Sequence, residues 1–282
     1  MKIIKFVLIL LLLLAGAFYY AMEVEPDELT VTRLNIVNER IPLSFHGFKI
    51  VQFSDTHLGP DYSVEQLQML VEAIRRLGPD IVVFTGDLID HFGKYGSENR
   101  EEAQRVLAQI NAPYGKFAVY GNHDRGGGGS RGYRRLMEEA GFTLLVNESR
   151  SIQSASGESI AIAGLDDFLL GRPDAEAALS LLQEGEFNLL LVHEPDVADR
   201  LVDYSIDLQL SGHSHGGQVR LPFFKPLVTT SLGSKYVEGM YTLQGGSKPL
   251  TLYVNRGIGT TRLPLRLSAP PELTVFQLMQ LG

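Results

Sequence analysis

The sequence predicts an α/β protein, a four-layer α-β-β-α sandwich with two mixed β-sheets, preceded by an N-terminal transmembrane helix. Three observations predict it. Apolar strands alternate with amphipathic helices along most of the chain, and the helices then give way to a strand-rich tail. A long uncharged apolar run opens the sequence. Short polar motifs recur where apolar strands end, the edge at which open α/β sheets bind ligands.

The first element is MKIIKFVLILLLLLAGAFYYAM. Lys2 and Lys5 precede 17 uncharged residues, Phe6 to Met22, close to the shortest helix that crosses a hydrocarbon layer of roughly 30 Å. Glu23, Glu25, Asp27 and Glu28 follow, so the positive flank is N-terminal and predicts a cytoplasmic N-terminus. Phe18-Tyr19-Tyr20 reads as an interfacial aromatic belt and favours a single-pass anchor in the cell membrane. Ala15-Gly16-Ala17 has the small-x-small form of a signal-peptidase site, so secretion after cleavage is the alternative. Both readings place the rest of the chain outside the cytoplasm. Residues 1–22 are thus anchor or signal peptide, 23–44 linker and first strand, and 45–282 the main domain.

The remaining elements follow from periodicity. Leu29 to Val37 alternates as a half-buried strand does, and FKIVQFSD is a strand with a polar end. SVEQLQMLVEAIRRL carries apolar residues at three- and four-residue intervals, a helix with one apolar face. IVVFTGD is the next strand; Glu98 to Ile110 is a helix, KFAVYGNHD a strand and Tyr133 to Ala140 a helix. SIAIAGLDD, FNLLLVHEP and IDLQLSGHS read as strands, with helices over Pro173 to Leu182 and Pro195 to Val202 between them. TLYVNRG and ELTVFQLM complete the strands. Gly126 to Ser130 (GGGGS) reads as a mobile surface loop.

Composition excludes several function classes. The chain is 44% hydrophobic and 21% charged, enough to bury a core. Its formal charge of −8 and its lack of a dense Lys/Arg run argue against a nucleic-acid partner. With no cysteine there are no disulfides, thiolate metal sites or cysteine nucleophiles.

Of seven histidines, His57, His123, His193, His213 and His215 fall inside the strand-end motifs FSDTH, VYGNHD, LVHEP and LSGHSH. A fifth motif, FTGDLID, contributes carboxylates. Asp55 and His57 stand two apart and would face the same way in an extended chain. A lone Asp-x-His is ordinarily a surface turn, and a lone histidine ordinarily a hydrogen-bonded core residue. SGHSHGGQV, in contrast, offers almost nothing to pack. Asp55, His57, Asp87, Asn122, His193, His213 and His215 together supply two carboxylates, one amide oxygen and four imidazoles. Oxygen and nitrogen donors without sulfur suit Mn, Fe or Zn. Seven of them exceed the needs of one ion and suit two divalent metal ions sharing a carboxylate.

Asp55-Thr56-His57, Gly86-Asp87-Leu88-Ile89-Asp90, Gly121-Asn122-His123-Asp124, His193 and Gly212-His213-Ser214-His215 resemble the five motifs of calcineurin-like metallophosphoesterases, over about residues 45 to 280. GHSHGGQVRLP, YVNRGIGT and PLRLSAPPELTVFQL are similar to the bacterial membrane-associated branch of that family. The resemblance implies that Asp55, His57 and His215 hold the first metal and that Asn122, His193 and His213 hold the second. Asp87 would bridge the two. It implies hydrolysis of phosphodiesters or pyrophosphates by a hydroxide bridging the ions. His123 would protonate the leaving group and Asp90 would be its acidic partner. A non-catalytic metal-binding scaffold is the competing class, and it usually loses ligands; none is missing here.

Substrate is read from the anchor and from LPFFKPLV (Leu221 to Val228), which puts apolar bulk just after the last motif. As a buried turn it would pack on the second sheet. As a lip, with Phe223 and Phe224 as candidate substrate contacts, it would meet a membrane or an acyl chain. The partners expected are a phosphoester substrate of the lipid-linked or cell-envelope class and the membrane itself. Some relatives in the branch resemble UDP-2,3-diacylglucosamine pyrophosphatases, whose substrate lies at the cytoplasmic face; the topology expected here conflicts with that role. Arg125 is a candidate for substrate phosphate, although a solvated helix face also explains it.

Overall fold

Two six-stranded mixed sheets face one another in the computed structural model, which describes residues 1–221, 223–224, 226–246 and 248–281. The first sheet has the order β1 (Thr30–Asn38), β12 (Glu272–Gln280), β2 (Lys49–Phe53), β3 (Ile81–Phe84), β4 (Lys116–Ala118), β5 (Thr143–Leu144). The second runs β10 (Gly239–Leu243), β11 (Leu250–Val254), β9 (Leu208–Ser211), β8 (Asn188–Leu191), β7 (Ser159–Gly164), β6 (Glu148–Gln153). In each sheet the central strands are parallel. Antiparallel pairs occur at β12–β2, β10–β11 and β6–β7.

Strand periodicity builds the layers. In β3, Ile81 and Val83 enter the core between the sheets, whereas Val82 and Phe84 face the outer core under the helices. In β8, Leu189 and Leu191 turn inward and Leu190 outward. Both faces of these strands are buried, so they read as unbroken apolar runs.

The outer layer on the first sheet is α2 (Val64–Leu77), α3 (Phe92–Leu107) and α5 (Ser130–Glu139). For α2 the sequence alone suffices. Ser63 caps the N-terminus by accepting the Gln66 N–H, and the Gln66 side chain accepts the Ser63 N–H in return. Leu67, Leu70, Val71 and Ile74 are buried, each contributing about 1.5–3 kcal/mol. Gly78 ends the helix in the left-handed region at φ 60°. On the second sheet lie the short α6 (Ala175–Leu179) and a 3-10 segment, Pro195–Arg200, where an α-helix to Val202 was predicted.

Other departures have tertiary causes. α3 starts at Phe92 rather than Glu98. Gly93 and Gly96 weaken local propensity there, but the buried Phe92 ring packs against Tyr133 and holds the first turn. The glycine run is no open tether: Gly126 to Gly129 turn into α5, and a Cβ on buried Gly129 would lie 2.7 Å from the Phe92 ring. Strands β5, β6 and β10 went unrecognised. The last two are edge strands with a single fully buried residue each, Ile152 and Leu243, so no apolar run marks them.

The N-terminal run forms α1 (Lys2–Tyr19), exposed throughout and, by length and composition, apolar enough to cross a membrane. Its foot is fastened to the body. Ala21 O accepts the Arg266 N–H at 2.9 Å, and the buried Glu25 carboxylate accepts the N–H groups of Ser268 and Ala269 at 3.0 and 2.6 Å. Of the predicted lip, Leu221, Phe223, Phe224 and Leu227 are exposed and Val228 is buried; Pro222 and Lys225 lie outside the described residues.

Candidate metal centre

The polar motifs follow the strands as expected, and the parallel strands of both sheets deliver them to one place. Asp55 and His57 come just after β2, Asp87 after β3, and Asn122 and His123 after β4 in the helical turn α4 (Asn122–Arg125). The second sheet supplies His193 after β8 and His213 and His215 after β9. Backbone bonds weld the two edges. Asp55 N–H donates to Gly86 O at 2.9 Å and Gly212 N–H to His193 O at 3.0 Å. Across the sheets, His213 N–H donates to the Asp55 carboxylate at 3.0 Å.

Extended geometry does not bring Asp55 and His57 together. Their φ angles are 54° and 47°, and Asp87, His213 and His215 also sit in the left-handed region, at 63°, 67° and 52°. Non-glycine residues pay roughly 1–3 kcal/mol for such backbone, and it persists where the surroundings over-determine it. Five of the seven expected ligands share it. Close packing accompanies the strain: a Cβ on Gly121 would overlap the Asp87 carboxylate, and one on Gly212 would overlap Ser54 and the Asp55 carboxylate.

Three sets of donors converge to within 4.8 Å among themselves: Asp55–His57–His215, Asp87–His193–His213, and His57–Asp87–His123. Hydrogen bonds on the far side of the rings decide which nitrogen faces in. His193 Nδ1–H donates to Thr85 O at 2.6 Å, leaving Nε2 toward Asp87 Oδ2 at 3.2 Å. His213 Nε2–H donates to Ser231 O at 2.8 Å, leaving Nδ1 inward, 3.0 Å from His193 Nε2. His57 and His215 meet Nε2 to Nε2 at 3.2 Å. Asn122 Oδ1 is buried with no hydrogen-bond partner.

Electrostatics suits cations. Burial, with His193 beside it, pushes the His213 imidazole down to about 3. Burial and His57 hold His215 well below the usual histidine range, so both rings are neutral and have a free lone pair. Burial opposes ionisation of Asp87, yet His193, His123 and His57 hold it well below the usual carboxylate range. Burial raises Asp55.

Asp90 meets two imidazoles. Its carboxylate lies 3.3 Å from His57 Nδ1 and 3.6 Å from His123 Nδ1, whereas His123 Nδ1–H donates to the Asp90 backbone carbonyl. Arg125 is not aimed at the cluster: its guanidinium pairs with Asp166, Nε to Oδ1 at 2.6 Å, and stacks 3.7 Å above Tyr120. Phe223 and Phe224 are exposed and do not line the cleft of about 110 Å³ over the cluster.

Sequence reasoning passed over three residues. Asp124, fully buried, accepts the N–H groups of Asp87, Leu88 and Gly121 at 2.7, 3.0 and 2.9 Å, and so holds two ligand loops together. Burial and the Asp87 charge push its carboxyl up to about 8, against those three donors. Its place inside Gly-Asn-His-Asp was a signal. Arg262 lines the cleft and Arg266 lies buried behind it, bonding the carbonyls of Gly259, Arg256 and Ala269. Arg266 lies in PLRLSAPPELTVFQL, one of the stretches similar to the bacterial branch, whereas no local pattern marks Arg262.

Residues 48–217 match the family model "Calcineurin-like phosphoesterase". The chain is 48% identical over 263 residues to the uncharacterized metallophosphoesterase YkuE of Bacillus subtilis, covering 93% of this chain and 90% of that protein. It is 29% identical over 311 residues to UDP-2,3-diacylglucosamine pyrophosphatase LpxG of Chlamydia trachomatis, covering 92% of each. Among solved structures, NAD nucleotidase of Haemophilus influenzae shares the fold with a TM-score of 0.53 and 16% identity. That likeness covers 75% of this chain and 45% of that one, so this chain spans less than half of that enzyme. With its strand-end ligand sets assembled and more than half its length matched, the chain belongs to the calcineurin-like metallophosphoesterases, hydrolases of phosphoric ester bonds.

Proposed function

We propose that the protein is a membrane-anchored, two-metal phosphohydrolase that cleaves phosphodiester or pyrophosphate bonds in lipid or cell-envelope substrates. Asp55, His57 and His215 would hold one divalent ion and Asn122, His193 and His213 the other, with Asp87 shared. The observation that carries the reading is the donor set itself. Imidazole nitrogens face each other at 3.0 and 3.2 Å, burial holds His213 and His215 neutral, and Asn122 Oδ1 is buried without a partner. A buried polar oxygen costs roughly 1–3 kcal/mol unless something satisfies it. Such ions supply Lewis acidity, neutralising phosphoryl oxygens and acidifying water.

The chain's own groups do the rest. His123, tethered through Nδ1 to the Asp90 carbonyl, is raised above the usual imidazole range because Asp87 and Asp90 outweigh its burial. Its place beside the cluster and its Nδ1 tether suit it to act as a general acid toward the departing oxygen. Asp90 positions it and His57 together. Arg262, which lines the cleft and bonds the Thr229 carbonyl at 3.2 Å, is a cation placed to meet a substrate phosphate.

Lys2 and Lys5 in the first turns of α1 and the acidic residues after it support an extracytoplasmic domain; protease accessibility in intact cells tests this. The likeness to LpxG supports a second reading, a UDP-2,3-diacylglucosamine pyrophosphatase. A panel on Mn-loaded full-length protein, comparing a phosphodiester, a nucleoside-diphosphate lipid and a phosphomonoester, separates the two. Asp87→Ala should abolish turnover and lower bound metal; retention of both would refute the two-metal assignment.

A further inference from the structure

We propose that the apolar rim of the metal cleft docks on the bilayer that carries α1, so that the cleft opens at the lipid surface. The inference deepens the anchored reading of α1 given above and names the surface that the site faces. Val37, Leu43, Met69 and Leu181 are exposed on separate elements, which is ordinary. Among the described residues, others gather in the loops around the cleft. Leu169 lines it directly, Leu263 follows the lining residues Thr261 and Arg262, and Leu221, Phe223, Phe224 and Leu227 precede two more, Thr230 and Ser231. Phe223 is fully exposed and Phe224 is 72% exposed. A cluster of that kind marks a partner.

Hydrogen bonds say which partner. The lip is closed at its base by Leu227 N–H donating to Val219 O at 2.9 Å, and Pro226 packs so closely on Gly217 that a Cβ there would overlap it. Val219 bridges to Leu267, and Arg220 N–H donates to Leu267 O at 2.9 Å. The neighbours of Leu267 hold the helix foot: Arg266 N–H bonds Ala21 O, and Ser268 N–H bonds Glu25. The loop of Thr261 and Arg262 makes the same connection. Ile258, Gly259, Thr260 and Pro264 line a hollow with Met22 and Glu23, while Thr261 and Arg262 line the metal cleft. One loop therefore separates the cleft from the point where the chain leaves the membrane. A rim moored that close to the anchor lies within reach of the same bilayer.

The helix foot is acidic, with Glu23, Asp27 and Glu28, so the foot itself offers no attraction to anionic headgroups. Docking is apolar and should occur on zwitterionic lipid and withstand salt. A different apolar occupant, a second copy of the chain, would leave the rim out of lipid.

The sequence has no tryptophan, so one introduced indole reports alone. Full-length single-site variants Phe224→Trp, Leu263→Trp, Leu10→Trp in α1 and Leu181→Trp on α6's flank are placed in phosphatidylcholine nanodiscs, with or without brominated acyl chains. Thermal melts matched to wild type establish folding. The expected result is blue-shifted emission at positions 224 and 263 that bromolipid largely removes at low and high salt, with Leu181→Trp unaffected. Leu10→Trp tests the anchor independently. Quenching at 10 without quenching at 224 and 263 overturns the docking and leaves the anchor standing. Quenching at 224 and 263 without quenching at 10 supports the docking and overturns the anchor. Blue shift at 224 and 263 without quenching means protein covers the rim, and overturns the docking; no effect at any position overturns both.

Discussion

The Asp124 carboxylate accepts the backbone N–H of Asp87 at 2.7 Å, and with the same oxygen the N–H of Gly121 at 2.9 Å. The loops after β3 and β4 are thereby held as one piece, and Asp87 is held in its left-handed conformation. Asp124→Asn replaces an acceptor oxygen with a donor facing N–H groups. Such an unsatisfied buried group costs about 1–3 kcal/mol, and loss of a group supporting a metal ligand typically weakens metal binding about 10–100-fold. Calorimetry and metal titration of the variant should show both effects together.

His123 and Asp90 should separate by their effect on metal. His123→Ala should lower turnover of substrates with poor leaving groups by about 10²–10⁴-fold and leave bound metal unchanged. Asp90→Ala should lower turnover and also weaken metal retention, because the same carboxylate lies 3.3 Å from His57 Nδ1. Metal analysis beside kinetics distinguishes the two; metal loss in His123→Ala would make that residue structural.

Arg262 should act on binding rather than on the metals. A charge-assisted bond to phosphate contributes about 1.5–3 kcal/mol, so Arg262→Ala should raise KM about tenfold or more with metal content unchanged. An unaltered KM would remove Arg262 from the substrate's path.

Glycine substitutions test the close approach at the ligand turn. Gly212→Ala places a Cβ on Ser54 and the Asp55 carboxylate, so it should abolish metal binding or folding. Gly185, with nothing within 4 Å of its would-be Cβ, is the control, and Gly185→Ala should leave the melting temperature nearly unchanged.

Much of this protein is legible locally. α2 carries its cap, apolar face and terminating glycine in consecutive residues, and β3 and β8 announce themselves as buried apolar runs because both faces are covered. The candidate cluster is legible only as a set, since each motif alone has an ordinary structural use whereas five of them at strand ends do not. Elements whose stability comes from neighbours are not. β6 and β10 exist through backbone pairing to β7 and β11, and the first turn of α3 through Phe92 against Tyr133.

The amino-acid sequence by itself determined the α/β class and the apolar N-terminal helix, and it pointed to the strand-end histidines and carboxylates that the fold brings together. Each of these depends on residue type and short-range spacing. Only the tertiary structure decided which imidazole nitrogen turns inward, because Thr85 O and Ser231 O make that choice from distant parts of the chain. It also turned Arg125 away to Asp166, gave Arg262 to the cleft, and set the rim beside the foot of α1. Hydrogen bonds and ion pairs act over about 3 Å, and residues that far apart in space lie scores of positions apart along the chain.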